Sequence, residues 1–199
     1  MLKMDINKEL SLIEEYAKEA YVPIMLKDGI EYLCNYIKEN NIKNILEVGS
    51  AIGYSAIKMA LVSEDITITT IEKDEDRYNM AVDNIRKFNL DKRINIILGD
   101  AKEVELTDKY DLIFIDASKG NNIYFFEKFT NNLASGGVII TDNLSFHGRV
   151  ENASLITSKN QLGIVKKIKT FIEYLDNNKE FTTTYVSVGD KIAISKKNS

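Results

Sequence analysis

An α/β fold with a mostly parallel, seven-stranded sheet and helices on both faces is predicted by three features of this 199-residue chain. Five short Ile- and Val-rich runs alternate with longer amphipathic stretches. Two candidate helices precede the first run, and the chain closes on two β-rich runs joined by Gly189-Asp190. Strands buried on both faces of a parallel sheet read as continuous apolar runs, whereas the crossover helices between them space their apolar residues at three and four.

Taken in order, NKELSLIEEYAKEA and MLKDGIEYLCNYIKENN read as helices separated near Pro23, because proline is not accommodated in a helix interior. They are expected to cap the sheet. The runs at 44–48 (NILEV), 66–71 (ITITTI), 94–98 (INIIL), 110–115 (YDLIFI) and 136–141 (GGVIIT) are the parallel strands. Between them, GYSAIKMALV, DEDRYNMAVDNIRKFNL and GNNIYFFEKFTNNL are helices that pack on the sheet. A polar segment then runs from Asn143 to Asn160, followed by a helix through IVKKIKTFIEYLDNN. The final FTTTYVSV and KIAISKK, joined by Gly189-Asp190, form an antiparallel hairpin. No repeat, low-complexity segment or linker interrupts this order. One domain is expected over 1–199, with 1–42 as capping helices and 43–199 as the core.

Composition narrows the function classes. The formal net charge of −4 gives no global attraction to nucleic acid or anionic membrane, so a polyanion would need a local basic patch. Cys34 is the one cysteine, which excludes an intramolecular disulfide and a thiolate metal cluster, and suits a reducing cytosol. The start MLKMDINKEL lacks a signal-peptide apolar core, and no run approaches the ~20 apolar residues of a membrane span. A soluble cytoplasmic protein without a membrane partner is expected.

The stretch ILEVGSAIGYS at 45–55 carries the first functional signal. In open α/β sheets ligands bind beyond the carboxyl ends of the strands, and Glu47 to Gly53 is such a strand-to-helix loop. Its glycines let the backbone turn tightly and approach a ligand, although their G-x-x-x-G spacing is not that of a dinucleotide site and also suits a plain packing turn. Glu72 closes the second strand a little over ~20 residues beyond Gly49, where an acid can bind the two hydroxyls of a ribose; a solvated helix-start residue is the alternative. Glu47 would set a carboxylate where a pyrophosphate should lie, but a cationic ligand would welcome it. S-adenosylmethionine, with its ribose, ammonium and sulfonium, meets each condition.

With LEVGSAIGYSAIKMA, TIEKD, LGDA, FIDASKG and TDN in this order and spacing, the sequence resembles the metal-dependent O-methyltransferases that include the catechol and caffeoyl-CoA enzymes. The likeness covers most of the chain from about Val22. It implies the Rossmann-like class I methyltransferase fold and a homodimer that uses the N-terminal helices. It also implies that Glu47, Gly49 and Ser55 surround the methionine part of S-adenosylmethionine, that Glu72 binds the ribose, and that Asp100 and Ala101 meet the adenine, with Asp116 also on the cofactor side.

A metal site can be argued from strand ends as well. Asp116 follows the fourth strand and Asp142-Asn143 the fifth, and adjacent strands lie ~4.8 Å apart, so the side chains can converge on one ion. Two carboxylates and an amide suit Mg²⁺, with Mn²⁺ or Ca²⁺ as alternatives; taken singly, either aspartate also reads as a helix cap. The resemblance sets the catalytic base at Lys119, three residues after Asp116. A divalent cation and a sulfonium nearby would disfavour its ammonium form and bring its pKa toward a useful range.

For the acceptor, AYVPIM, GSAIGYSAIKMA and VSVGDKIAIS most resemble a bacterial branch that methylates 5-hydroxyuridine at the tRNA wobble position to 5-methoxyuridine. Arg149, Lys159, Lys166 and Lys167 would supply the positive patch a tRNA needs. A small catechol or phenol is the alternative, weakened by the absence of a glutamate in TTTYVSVGD. His147, the sole histidine, reads as a loop residue rather than a metal ligand.

Overall fold

In the computed structural model, which describes residues 4–117 and 120–198, the seven strands form one sheet of order β3-β2-β1-β4-β5-β7-β6. The parallel part comprises β1 (Asn44–Val48), β2 (Thr67–Glu72), β3 (Ile94–Leu98), β4 (Tyr110–Ile115) and β5 (Leu133–Thr141). The last two strands, β6 (Phe181–Val186) and β7 (Ile192–Lys197), are antiparallel, and β7 inserts between β5 and β6. The connection between them spans five residues, 187–191, rather than the bare Gly-Asp pair that the sequence suggests.

Strand residues divide by parity between two cores. Ile45, Leu112 and Phe114 join one apolar cluster with the helices α1 (Ile6–Glu19), α2 (Lys27–Glu39), α3 (Tyr54–Ala60) and α4 (Glu75–Lys87). Their neighbours Leu46, Val48, Ile113 and Ile115 face the other cluster with α5 (Asn122–Thr130) and α6 (Lys159–Asn177). Both faces are therefore covered, which is why the strands read as unbroken apolar runs. Helix α2 buries Ile30, Leu33 and Ile37, each contributing roughly 1.5–3 kcal/mol on burial. The first two helices thus lie on one face of the sheet, beside α3 and α4. Helix starts are capped as their residue types predict: Asp5, Asp74 and Ser158 each accept a backbone N–H from three residues ahead.

Two boundaries differ from the sequence expectation by more than a couple of residues for an identifiable reason, while β2 is merely shifted by one, to Thr67–Glu72. Strand β5 begins at Leu133 rather than Gly136, because Leu133 pairs with Tyr110 ahead of a register shift while Ala134 and Ser135 carry little apolar signal. Helix α6 begins at Lys159, within the segment read as polar, because Ser158 caps a solvated first turn. No helix among the described residues is long and apolar enough to cross a membrane.

Candidate active site

A cavity of about 620 Å³ lies along the carboxyl ends of the parallel strands. On its β1–β3 side it is lined by Gly49, Ser50, Ala51, Ser55, Glu72, Asp100 and Ala101. On its β4–β5 side it meets Asp116 and Asn143, then Phe146, His147 and Asp190, with Pro23, Ile24, Met25 and Leu26 from the α1–α2 connection. Lys119 lies outside the described residues.

The loop after β1 explains its glycine spacing. Gly49 has φ +98°, and a Cβ there would stand 2.4 Å from the Asp116 carbonyl oxygen, so only glycine lets the loop close on the end of β4. Gly53, at φ +82°, caps α3 while packing on Ala81, where a Cβ would come within 3.2 Å of the Ala81 Cβ. Gly49 N–H and Ser50 N–H both donate to the Ile71 carbonyl, at 3.0 and 3.3 Å, tying the loop to β2.

Glu72 is buried and holds this loop directly. Its Oε2 accepts Ala51 N–H at 2.8 Å, and its Oε1 accepts the N–H groups of Lys73 and Asp74 at 2.9 Å each. The carboxylate thus positions the loop and retains acceptor capacity toward the cavity. Asp100 accepts Lys102 N–H at 2.9 Å on Oδ1, which turns the chain after β3 so that Ala101 lies on the cavity wall.

Glu47 behaves differently from a simple cavity wall. It is 0% exposed and lies beneath the loop, with Ser55 Oγ donating to Oε1 and Thr70 Oγ1 to Oε2, both at 2.5 Å. Burial pushes its carboxyl up to about 7; the Ser55 and Thr70 hydroxyls oppose the shift, and the nearby Asp116 and Glu72 charges add to it. A carboxyl whose folded pKa lies above its unfolded value binds protons more tightly when folded. Its contribution therefore favours the fold at low pH and is lost as pH rises from about 4.5 to about 7. Glu47→Gln should remove this slope. Denaturant midpoints across that window should show wild-type stability falling relative to the variant, by on the order of 3 kcal/mol at most. Parallel curves for the two proteins would refute it.

At the other side, Asp116 and Asp142 directly follow the register partners Ile115 and Thr141 of adjacent strands. Asp116 N–H donates to Val48 O at 3.0 Å and Asp142 N–H to Ile115 O at 3.2 Å, so both residues are fixed at the same level of the sheet. Asp142 is buried, and its Oδ2 accepts Asn143 Nδ2 at 3.1 Å. Asn143 itself is left-handed, at φ 65°, one of the residue types that tolerate this region. The set is all oxygen and fits a hard cation in its chemistry. Among the described residues no group of three or more His, Cys, Asp and Glu side chains is arranged to hold a metal, so such a site would depend on the Asn143 amide.

Three contributors to the cavity fall within or beside motifs that carry the family resemblance but were given no role of their own in the sequence. The Pro23–Leu26 stretch read as a helix separator, Asp190 as a turn residue, and Tyr54 as the start of a helix. Tyr54 in fact lines the cavity while its hydroxyl donates to Glu14 Oε1 of α1 at 2.6 Å.

The sequence profile described as O-methyltransferase matches residues 4–198. The chain is 28% identical to the tapetum-specific methyltransferase 1 of Arabidopsis thaliana over 97% of its length and 86% of that protein. It is 27% identical to a caffeoyl-CoA O-methyltransferase of Populus kitakamiensis, over 92% and 82% of the two chains. Among solved structures, a Staphylococcus aureus protein provisionally described as a caffeoyl-CoA O-methyltransferase superposes with a TM-score of 0.90 at 37% identity, covering 95% of this chain and 92% of that one. A Bacillus cereus O-methyltransferase solved in complex with SAH superposes with a TM-score of 0.80 at 25% identity, covering 100% and 93%. With the strand-end cavity and the Rossmann-like sheet, these matches establish that the chain belongs to the O-methyltransferase family and is an S-adenosylmethionine-dependent O-methyltransferase, similar to the caffeoyl-CoA enzymes.

Proposed function

We propose that the enzyme methylates a hydroxyl of a small phenolic acceptor, one that carries a second oxygen beside the reacting group, and that it does so with a divalent cation. The observation that carries this reading is the composition of the cavity's β4–β5 side. There the apolar Ile24, Met25, Leu26 and Phe146 flank the oxygen donors Asp116 and Asn143, a combination suited to a flat ring that presents oxygen at one edge. The caffeoyl-CoA O-methyltransferase relative points to the same acceptor class.

In this reading the β1–β3 side holds the donor. Glu72 accepts the ribose hydroxyls, Asp100 and Ala101 meet the adenine, and Gly49 and Ser55 border the methionine portion. Glu47, seated under the loop and tied to Ser55 and Thr70, acts on the donor through the loop and through its charge rather than by contact from the cavity wall. S-adenosylmethionine supplies an electrophilic methyl carbon on a sulfonium. Asp116, Asp142 and Asn143 would hold Mg²⁺, Mn²⁺ or Ca²⁺, which when bound lowers the pKa of a coordinated hydroxyl. Lys119 takes the acceptor proton. The remaining contribution is alignment of two bound reactants.

A tRNA bearing 5-hydroxyuridine is the second acceptor class, because its hydroxyl adjoins a carbonyl and Lys159, Lys166 and Lys167 stand exposed on α6. Arg149 is less available for such a patch: its guanidinium lies 5.1 Å from the Phe146 ring centroid and Nη1 donates to Phe146 O. Incubation with labelled S-adenosylmethionine, Mg²⁺ and, in separate reactions, catechols, caffeoyl thioesters and hydroxylated tRNA tests the choice. Label in the small phenols is the expected result; label entering only tRNA would overturn it. The exposed Ile6, Leu12 and Tyr16 of α1 suit the homodimer that the sequence motifs imply.

A further inference from the structure

The Gly189-Asp190 dipeptide reads in sequence as a turn, yet Asp190 is 5% exposed and stands on the cavity wall. Its Oδ1 accepts the backbone N–H of His147 at 2.6 Å, and its own carbonyl accepts Ser145 N–H at 2.9 Å. The carbonyl of Lys191 accepts Leu144 N–H at 3.0 Å. One turn between β6 and β7 thus holds three backbone N–H groups of the segment that follows β5.

That segment requires holding. Phe146 and His147 have φ of 51° and 54°, followed by Gly148 at 81°. Two bulky residues in succession occupy the left-handed region, which persists only where the surroundings over-determine it. Phe146 and His147 both line the cavity. The turn is anchored in its own right: Asp28 Oδ2 on α2 accepts Gly189 N–H at 3.0 Å, and a Cβ on Gly189 would come within 3.1 Å of the Gly29 Cα. A second tie, in which Ser145 Oγ and Lys191 Nζ both meet Glu151, is solvent-exposed and correspondingly weak.

We propose that Asp190 is a positioning residue for the acceptor: by accepting the His147 N–H it fixes Phe146 and His147 as the β5-side wall of the cavity, independently of the donor side. The proposal rests on reading that end of the cavity as the acceptor end. Alanine at 190 leaves the His147 N–H without its acceptor, whereas asparagine keeps a carbonyl oxygen in the same place, so the two variants separate the hydrogen bond from the charge.

The test compares wild type, Asp190→Ala and Asp190→Asn by donor calorimetry, by steady-state kinetics with the phenol that wild type methylates best, and by hydrogen exchange over residues 143–150. Asp190→Ala should raise acceptor KM about tenfold, as expected for one lost hydrogen bond, with kcat changed less than about threefold. Donor Kd should stay within about twofold, exchange over 143–150 should speed up, and Asp190→Asn should restore KM to within about threefold of wild type. If the alanine variant does not fold, Asp190→Ser, too short to reach His147, carries the same expectation. An unchanged acceptor KM, or a parallel loss of donor affinity, overturns the proposal. If wild type methylates no phenol, the acceptor reading fails separately. Exchange then still decides the structural claim, and unchanged protection of 143–150 in the alanine variant overturns it.

Discussion

Asp142→Ala is expected to lower kcat roughly a thousandfold or more while S-adenosylmethionine affinity stays within about twofold, because a cation that polarises an oxygen is worth several kcal/mol and each 1.36 kcal/mol is tenfold in rate. The separation follows from the fold. Asp142 directly follows β5, beside Asp116 directly after β4, whereas the loop held by Glu72 belongs to β1 and β2. Asp142→Asn keeps the shape and removes one charge, so it should fall between the two. Excess chelator should reproduce the loss in wild type, and re-addition of Mg²⁺ should restore it. Full turnover in excess chelator would eliminate the cation from the mechanism and leave Asp142 as a structural residue.

Replacing Glu72 with alanine should weaken S-adenosylmethionine binding by about 3 kcal/mol, roughly a hundredfold in Kd. Two losses combine here. The first is the charge-assisted contact with a ribose that the proposed donor site gives Glu72. The second is the set of three backbone N–H groups, from Ala51, Lys73 and Asp74, that the carboxylate now satisfies. Glu72→Gln keeps one acceptor oxygen and should recover part of the affinity. Calorimetry with Mg²⁺ absent isolates donor binding from the cation. Equal affinity in wild type and Glu72→Ala would remove Glu72 from the donor site and with it the assignment of the β1–β3 side.

The parallel half of the fold was legible because burial on both sheet faces writes itself as apolar runs, and NILEV, INIIL and YDLIFI coincide with β1, β3 and β4. The start of β5 was hidden because Leu133 pairs with Tyr110 ahead of a register shift, and Ala134 and Ser135 between it and the apolar run carry no strand signal. The first turn of α6 was hidden by Lys159, Asn160 and Gln161, which are solvated and so carry no helical apolar spacing.

The strand-end residues Gly49, Glu72, Asp100, Asp116 and Asn143 were legible from topology, since each follows or closes a run and lines the cavity, whereas Asp142 is buried beside Asn143 and is not on the cavity wall. By itself, then, the sequence determined the α/β class and the strand ends at which the cavity lies, and it suggested a set of oxygen donors for a hard cation. Only the tertiary structure decided that β7 lies between β5 and β6, that Glu47 sits beneath its loop, and that Asp190 grips the backbone of His147. The reason is separation along the chain. The contact between Asp28 and Gly189 spans 161 residues and that between His147 and Asp190 spans 43, and local periodicity carries no information about pairs so far apart. Such contacts exist because α2, the segment after β5 and the β6–β7 turn are brought to one corner of the sheet by packing, where close approach of Gly29 to Gly189 selects small residues and a buried N–H selects an acceptor.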